Sequence, residues 1–348
     1  MAALEVSSTR NIKRASIRLT LVVPMRNEER SLPALLSSIS GQSVQPDRII
    51  LVDGGSTDGT VDLAKMLIAD HSNYQVIEAG DATPGRGRNI GVEAANTEWI
   101  AFTDAGIEPD RQWVEKLVEI VERTPNIDVV YGNYDPMTDT FFEKCAALSY
   151  PPAKQQRPGG LMRGPSVASM LLRRKVWQAV GGFPDLRAAE DLIFMQQIER
   201  SGFKIGWAPQ ATVRWQLQPT LARTFRKFVL YSKHNVWAGW QRYWHYGIAR
   251  QYLIAAPFLA LGLFYNPWWF LIPLAGWAAR TAKSIWTRRE GRGLFWMLSP
   301  ARFACIMIIL ATIDLATFVG WVQALITEPT VNPGHWADGQ VPETQRDR

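Results

Sequence analysis

Between residues 19 and 122, short apolar runs alternate with helix-patterned segments, and this alternation limits what the chain can fold into more than any other feature. The runs at 19–24, 48–53, 74–78 and 99–104 have the length and composition of strands. Residues 31–40, 60–70, 88–95 and 111–122 carry helical periodicity and helix-start signals. A β-α-β-α order with short polar turns specifies an α/β fold: a mostly parallel sheet flanked by helices, with ligands bound beyond the carboxyl ends of its strands. The polar motifs of this chain fall at those ends.

The remainder of the chain calls for a different solvent. Fifteen tryptophans are far above ordinary usage, and most lie beyond Trp207. At 348 residues and 47% apolar content, the chain can build one large domain or two modest ones. The net charge of +6 and pI near 9.4 arise from Arg223, Arg226, Lys227, Lys233, Arg242 and Arg250, followed by the run 280–292. These clusters flank apolar stretches, which indicates an anionic membrane surface as partner and no nucleic acid. Cys145 and Cys305 have no CxxC spacing, which argues against a disulfide framework or a zinc site. The first seventeen residues hold no apolar signal core, so the N-terminal half is expected on the cytoplasmic face.

Residues 220–250 interleave basic side chains with Phe225, Phe228, Tyr231, Trp237, Trp240, Tyr243 and Trp244, the composition of a helix lying in a membrane interface. Asn266-Pro267 interrupts the apolar run 252–279, leaving pieces shorter than the roughly 20 residues of a span, so a hairpin or re-entrant pair is expected. The basic loop 280–292 keeps the return on the cytoplasmic side, and 303–326 reads as a full span. Asp314 in its middle would cost ~3 kcal/mol against lipid and must face protein, headgroup or water. The expected division is a flexible segment 1–17, a catalytic domain 18–218, amphipathic interfacial helices 219–250, a membrane region 251–326 comprising a hairpin and one span, and a flexible tail 327–348. So few spans beside a large soluble half disfavour a channel or transporter.

Five strand-end and turn segments carry chemistry. LTLVVPMRNEE places Arg26, Asn27 and Glu28 directly after a strand. In RIILVDGGSTDGT, Asp53 can accept hydrogens from a base edge while Gly54 and Gly55 admit close backbone approach; Ser56, Thr57 and Asp58 equally suit a turn and helix cap. TPGRGRNIG offers Arg86, Arg88, Asn89 and free amides at a helix start, suited to a diphosphate, although its glycine spacing fits neither a dinucleotide fingerprint nor a P-loop. EWIAFTDAG ends in Asp104, from which a carboxylate can hold a divalent ion, though one acid is a thin metal site. After the turn Gly181-Gly182-Phe183-Pro184, Glu190 and Asp191 open an amphipathic helix, where a carboxylate can take a proton from a hydroxyl; capping alone would also explain the pair. Residues 135–165, irregular and rich in Pro, Gly and charge, form either an acceptor-side loop or a long connection.

Taken together, VVPMRNEE, ILVDGGSTDGT, GRGRNIG, FTDAG and GGFPDLRAAED, in this order over about residues 19–216, resemble the segments of family-2 glycosyltransferases of the GT-A fold. The resemblance implies a nucleotide-sugar donor, with a uridine nucleotide preferred. Pro24, Asn27 and Glu28 would line the nucleotide pocket, Asp53 would recognise the base with Gly55 and Ser56 in its loop, and Arg88 with Asn89 would lie near the diphosphate. Asp104 would be the surviving acid of a metal-binding Asp-x-Asp for Mg or Mn. Asp191 would be the general base of a Glu-Asp motif shared with Glu190. The chain departs from the family at Gly106, where a second metal acid is often found. It also has no histidine near 213–215, and no Gln-x-x-Arg-Trp follows Asp191, which favours single-sugar addition over processive synthesis. The function expected is inverting transfer of one sugar to a hydroxyl of a lipid or lipid-linked acceptor. Two alternatives are a polyprenyl-phosphate glycosyltransferase, whose ionised nucleophile needs no base, and a catalytically inactive nucleotide-sugar-binding membrane protein.

Overall fold

The computed structural model describes residues 13–14, 17–297 and 299–328, so the expected N-terminal segment and tail lie almost wholly outside the described residues. One mixed sheet of eight strands organises residues 19–216. In chain order these are β1 (Leu19–Met25), β2 (Arg48–Asp53), β3 (Tyr74–Glu78), β4 (Trp99–Phe102), β5 (Ile107–Pro109), β6 (Val129–Met137), β7 (Met170–Arg173) and β8 (Ile205–Gln216). Their spatial order is β3-β2-β1-β4-β7-β6-β8-β5. The first four strands are parallel, as the alternation requires; β7 then runs antiparallel to β4 and β6, and β5 antiparallel to β8.

The near-continuous apolar sequence of β1 is buried on both faces, which is what a strand sandwiched between helical layers needs. Leu21, Val23 and Met25 pack with the apolar stripes of α1 (Leu32–Ser40) and α4 (Trp113–Arg123), and α2 (Thr60–Ile68) joins the same cluster through Ala64. Val22, with Ile50 and Val52 of β2, faces α3 (Pro84–Ala94), α6 (Arg174–Val180) and α7 (Glu190–Arg200). Helix α3 lies so close that a Cβ at Gly91 would stand 2.3 Å from Val22 Cγ1, so only glycine fits. The register sets Val22 opposite Phe102 and Met25 opposite Asp53, and β1, β2 and β4 therefore end at one rim.

Three local differences from the sequence reading have simple causes. Helix α3 starts at Pro84 rather than near 88 because the Thr83 hydroxyl accepts from the Arg86 amide (3.2 Å) and proline suits a first helical turn. Strand β4 ends at Phe102, leaving Asp104 in the following loop. The segment 135–165 is partly regular: β6 runs to Met137, α5 (Phe141–Ala147) opens with a Thr140–Glu143 capping box, and Gln155–Arg157 pairs with Gly160–Met162.

The C-terminal part comprises α8 (Leu221–Trp237), α9 (Gln241–Trp244), α10 (Tyr246–Phe264), α11 (Leu271–Thr287), α12 (Leu294–Met297) and α13 (Pro300–Ile326). The break at Asn266-Pro267 separates α10 from α11. Helix α10 begins six residues ahead of the expected run and reaches 19 residues, so it and α13 are both long and apolar enough to cross a membrane. They differ in cover: α10 has only 6% of its apolar window buried, α13 has 44%. The protein surrounding α13 is largely α8, the helix whose composition suggested an interface. Ser232 Oγ donates to the Thr317 carbonyl at 2.6 Å and Trp237 Nε1 to that of Ala324 at 3.3 Å, fixing the two helices side by side. Phe228, Ile306, Ile309 and Ile313 close a separate core with Cys145 and Ala146 of α5.

Asp314 is fully buried and faces protein. It accepts from Arg280 Nη2 of α11 at 2.8 Å and from the Tyr252 hydroxyl of α10 at 3.0 Å, joining three helices. A second polar clamp, in which Arg163 Nη2 meets Glu290 (2.9 Å) and Arg163 Nε meets Asp135 (3.2 Å), holds the connection after α11 against the end of β6.

Candidate active site

A cleft of ≈ 510 Å³ opens at the shared rim of β1, β2 and β4, between the first turns of α3 and α7 and the flank of α8. Of the residues singled out from sequence, Pro24, Glu28, Arg88, Asp104, Glu190 and Asp191 line it. Asn27, Asp53, Gly55, Ser56 and Asn89 are not among its lining residues, and their contacts show what they do.

Asp53, 3% exposed, accepts the amides of Gly55 and Ser56 (both 3.0 Å) and the Ser56 hydroxyl (2.5 Å). Its carboxylate thus organises its own turn. Asn27, at a left-handed φ of 56°, accepts the Thr57 amide at 2.8 Å and donates its own amide to Ser56 Oγ at 2.9 Å, tying the two strand-end loops together. Asn89 holds a more distant segment: Nδ2 donates to the Phe183 carbonyl (2.8 Å), while Oδ1 accepts from the Phe183 amide (2.8 Å) and Trp177 Nε1 (2.9 Å). A Cβ at Gly85 would lie 2.2 Å from the Pro184 carbonyl, so the first turn of α3 presses directly on the Gly-Gly-Phe-Pro turn. This contact, made across about a hundred residues of sequence, delivers Glu190 and Asp191 to the rim.

Ala189, the residue before them, sits at φ 70° with no side-chain cap on α7. A left-handed alanine costs about 1 kcal/mol, and the neighbouring Leu186, Ile193 and Ala238 pack around it to hold it there.

At the centre of the site, the buried Arg88 joins two acids. Its Nη1 donates to Glu190 Oε1 at 2.8 Å and its Nη2 to Asp104 Oδ1 at 2.7 Å. Burial opposes its charge, but Asp104 and Glu190 hold it protonated beyond the usual arginine range. Both amino groups expected near a diphosphate are therefore engaged by carboxylates. Burial, and next the charge of Asp191, push the Glu190 carboxyl up to about 7, against the pull of Arg88. Burial likewise raises Asp191, which bonds only its own helix turn through the Leu192 amide (2.8 Å) and faces the cleft, partly exposed. A raised carboxyl with an open face is a better proton acceptor near neutral pH than an ordinary aspartate.

Among the described residues, no group of three or more His, Cys, Asp or Glu side chains converges as a metal site. Two carboxylates nevertheless stand together. A Cβ at Gly106 would lie 3.7 Å from Glu28 Oε2, so Glu28, its pKa raised chiefly by burial, sits over the very position that lacks the second acid. Magnesium and manganese can bind through one or two carboxylates when substrate phosphates and water complete the shell, and Asp104 with Glu28 fits that pattern.

Sequence reasoning missed the far wall. Tyr231 and Asn235 of α8 and Trp244 of α9 also line the cleft. Tyr231 and Asn235 are spaced i and i+4, a face of α8 that composition alone assigned to a membrane surface.

Residues 20–181 match the profile described as Glycosyl transferase family 2. The chain is 24% identical over 197 residues to glycosyltransferase AglE of Haloferax volcanii, covering 55% of this chain and 64% of that protein. It is 26% identical over 226 residues to the O-antigen chain rhamnosyltransferase RfbN of Salmonella typhimurium, covering 61% and 70%. Among solved structures, the mannosyltransferase PcManGT of Pyrobaculum calidifontis, in complex with GDP-Man and Mn2+, superimposes with a TM-score of 0.50 at 18% identity over 90% of this chain and 88% of that one. That likeness establishes the GT-A fold.

Proposed function

Because the chain carries a family-2 glycosyltransferase domain over residues 20–181, we propose that it moves one sugar from a nucleotide-sugar donor to a hydroxyl of a lipid or lipid-linked glycan, inverting the anomeric centre. The observation that carries this reading is the convergence of Asp191, Glu190, Arg88 and Asp104 on one cleft whose far wall leads within two residues into an exposed apolar helix.

The donor lies across the rim of β1, β2 and β4, its base end toward the loop that Asp53 and Asn27 order. Asp191 takes the proton of the acceptor hydroxyl while the acceptor oxygen bonds to the anomeric carbon and the nucleoside diphosphate departs. Arg88 fixes Glu190 and Asp104 relative to each other, so the base side and the phosphate side of the cleft keep one geometry. Asp104 with Glu28 would hold a divalent cation, whose chemistry is charge neutralisation of the leaving diphosphate. Proton removal by Asp191 contributes on the order of 10²- to 10⁴-fold, and positioning with charge neutralisation the larger remainder.

A polyprenyl-phosphate nucleophile would leave the cleft-facing Asp191 without a task, which weighs against that alternative. The reading is tested with a panel of uridine and guanosine nucleotide sugars, each assayed by thermal shift and donor hydrolysis with and without manganese. Saturable binding of at least one donor, slow release of free sugar, and loss of that release in Asp191→Asn with binding retained are expected. Binding without any sugar release by the wild-type protein would identify an inactive binder instead.

A further inference from the structure

Lys227, Tyr231 and Asn235 recur at i, i+4 and i+8 on α8 and so share one face of that helix. Tyr231 and Asn235 line the cleft, on the wall opposite the nucleotide loops. Asn235 is 4% exposed, yet its Oδ1 has no hydrogen-bond partner. Buried carbonyl oxygens are rarely left unpaired, and one at a cleft wall asks for a donor such as a sugar hydroxyl. Lys227 Nζ lies 4.8 Å from the ring centroid of Trp215 and 5.3 Å from that of Tyr231. Among the described residues it has no carboxylate within 4 Å, whereas the cations of Arg88 and Arg26 are taken by Glu190, Asp104 and Asp81. Desolvation pulls Lys227 down to about 8, opposed by the charge of Asp104. A half-buried ammonium held on aromatic faces and lacking an anion of its own is built to receive one.

The position of this face identifies the substrate that brings the anion. Trp244 lines the cleft and α10 starts at Tyr246, so this wall stands at the base of the helix whose Leu253, Ile254 and Leu263 project outward without protein cover. An acceptor seated in that apolar layer reaches the cleft from the α8 side.

Resting on the glycosyl-transfer reading above, we propose that the α8 face of Lys227, Tyr231 and Asn235 is the acceptor subsite, and that it takes a sugar joined through phosphate or diphosphate to a lipid. Lys227 meets the phosphate, the Tyr231 ring packs against the apolar face of the sugar, and Asn235 Oδ1 accepts a sugar hydroxyl.

The same phosphate chemistry exists in the donor, and the test separates the two sources. Wild-type, Lys227→Met, Lys227→Arg and Asn235→Ala proteins are titrated in detergent with UDP and GDP. They are also floated with phosphatidylcholine vesicles that contain or lack a polyprenyl-diphosphate-linked N-acetylglucosamine. Expected are tighter association of wild type with the glycolipid vesicles, a loss of about tenfold or more in Lys227→Met and Asn235→Ala, near-normal behaviour of Lys227→Arg, and nucleotide affinity changed less than about twofold in all. Weakened UDP or GDP binding in Lys227→Met would assign the lysine to the donor and overturn the proposal. Unaltered glycolipid association in both variants, or a wild-type protein indifferent to the glycolipid, would also overturn it. Failure of the wild type to bind any nucleotide would instead sink the glycosyl-transfer reading beneath it. Thermal unfolding of each variant verifies that the α8–α13 packing is intact.

Discussion

Replacing Arg88 with methionine isolates the ion pair that holds the cleft together. Glu190 has only 7% of its side chain exposed, so removing the guanidinium strands a carboxylate in a nearly dry site, a change that costs about 3 to 5 kcal/mol when one member of a buried pair is deleted. Asp104 is 39% exposed, and solvent screens its loss to at most about 1 kcal/mol. The unfolding temperature of a domain this size falls by about 2 to 4 °C per kcal/mol, so a 3 kcal/mol loss lowers it by roughly 6 to 12 °C. The sign of the pH dependence follows from Glu190. Without Arg88 its folded pKa stands further above the unfolded value of about 4.3, and the folded state holds the proton more tightly. The penalty is therefore full above the folded pKa and disappears as pH falls toward the unfolded one. Thermal unfolding of wild type and Arg88→Met in detergent, from pH 8.5 to pH 5, should show a deficit that shrinks on acidification. Equal stability at pH 8.5, or a deficit independent of pH, would refute the argument that Glu190 is the stranded charge.

Other outcomes follow from the same contacts. Turnover of Asp191→Asn should drop on the order of 10²- to 10⁴-fold with donor affinity retained, and the wild-type rate should decline as pH falls through the raised pKa of Asp191, both read from initial-rate kinetics. A methyl group at Gly91 has nowhere to go against Val22, so Gly91→Ala should destabilise by about 1 to 3 kcal/mol in denaturant melts; a neutral effect would mean α3 can move off the sheet. Asp314→Asn should loosen α10, α11 and α13 by leaving Arg280 unpaired, whereas the double change Asp314→Leu with Arg280→Leu should recover most of the lost detergent stability. Lysines at Ile254 and Leu259 of α10, each costing ~2.5 to 3.5 kcal/mol in hydrocarbon, should release the protein in liposome flotation; unchanged flotation would show that α10 does not enter the bilayer.

The local order of this protein was written in its sequence. Periodicity located β1 to β4 and the helices between them to within a few residues, because strands buried on both faces and helices with one apolar stripe leave patterns a few residues long. Four of the five polar segments were legible for the same reason, since a parallel sheet puts every βα turn at one rim; the fifth, between α6 and α7, reaches that rim through the contact of Gly85 with Pro184. What the tertiary structure decided was the use of those polar groups. Asp53 and Asn89 look like ligand contacts in sequence, and the structure shows that, through Ser56 and Phe183, they also fasten loops. Arg88 looks available to a phosphate until β4 and α7 bring Asp104 and Glu190 to both ends of its guanidinium. Helix α8 has the composition of an interfacial helix, and the structure lays it between α13 and the cleft. Composition records which surfaces avoid water, whereas the neighbour that replaces the water is chosen by contacts between residues far apart in the chain.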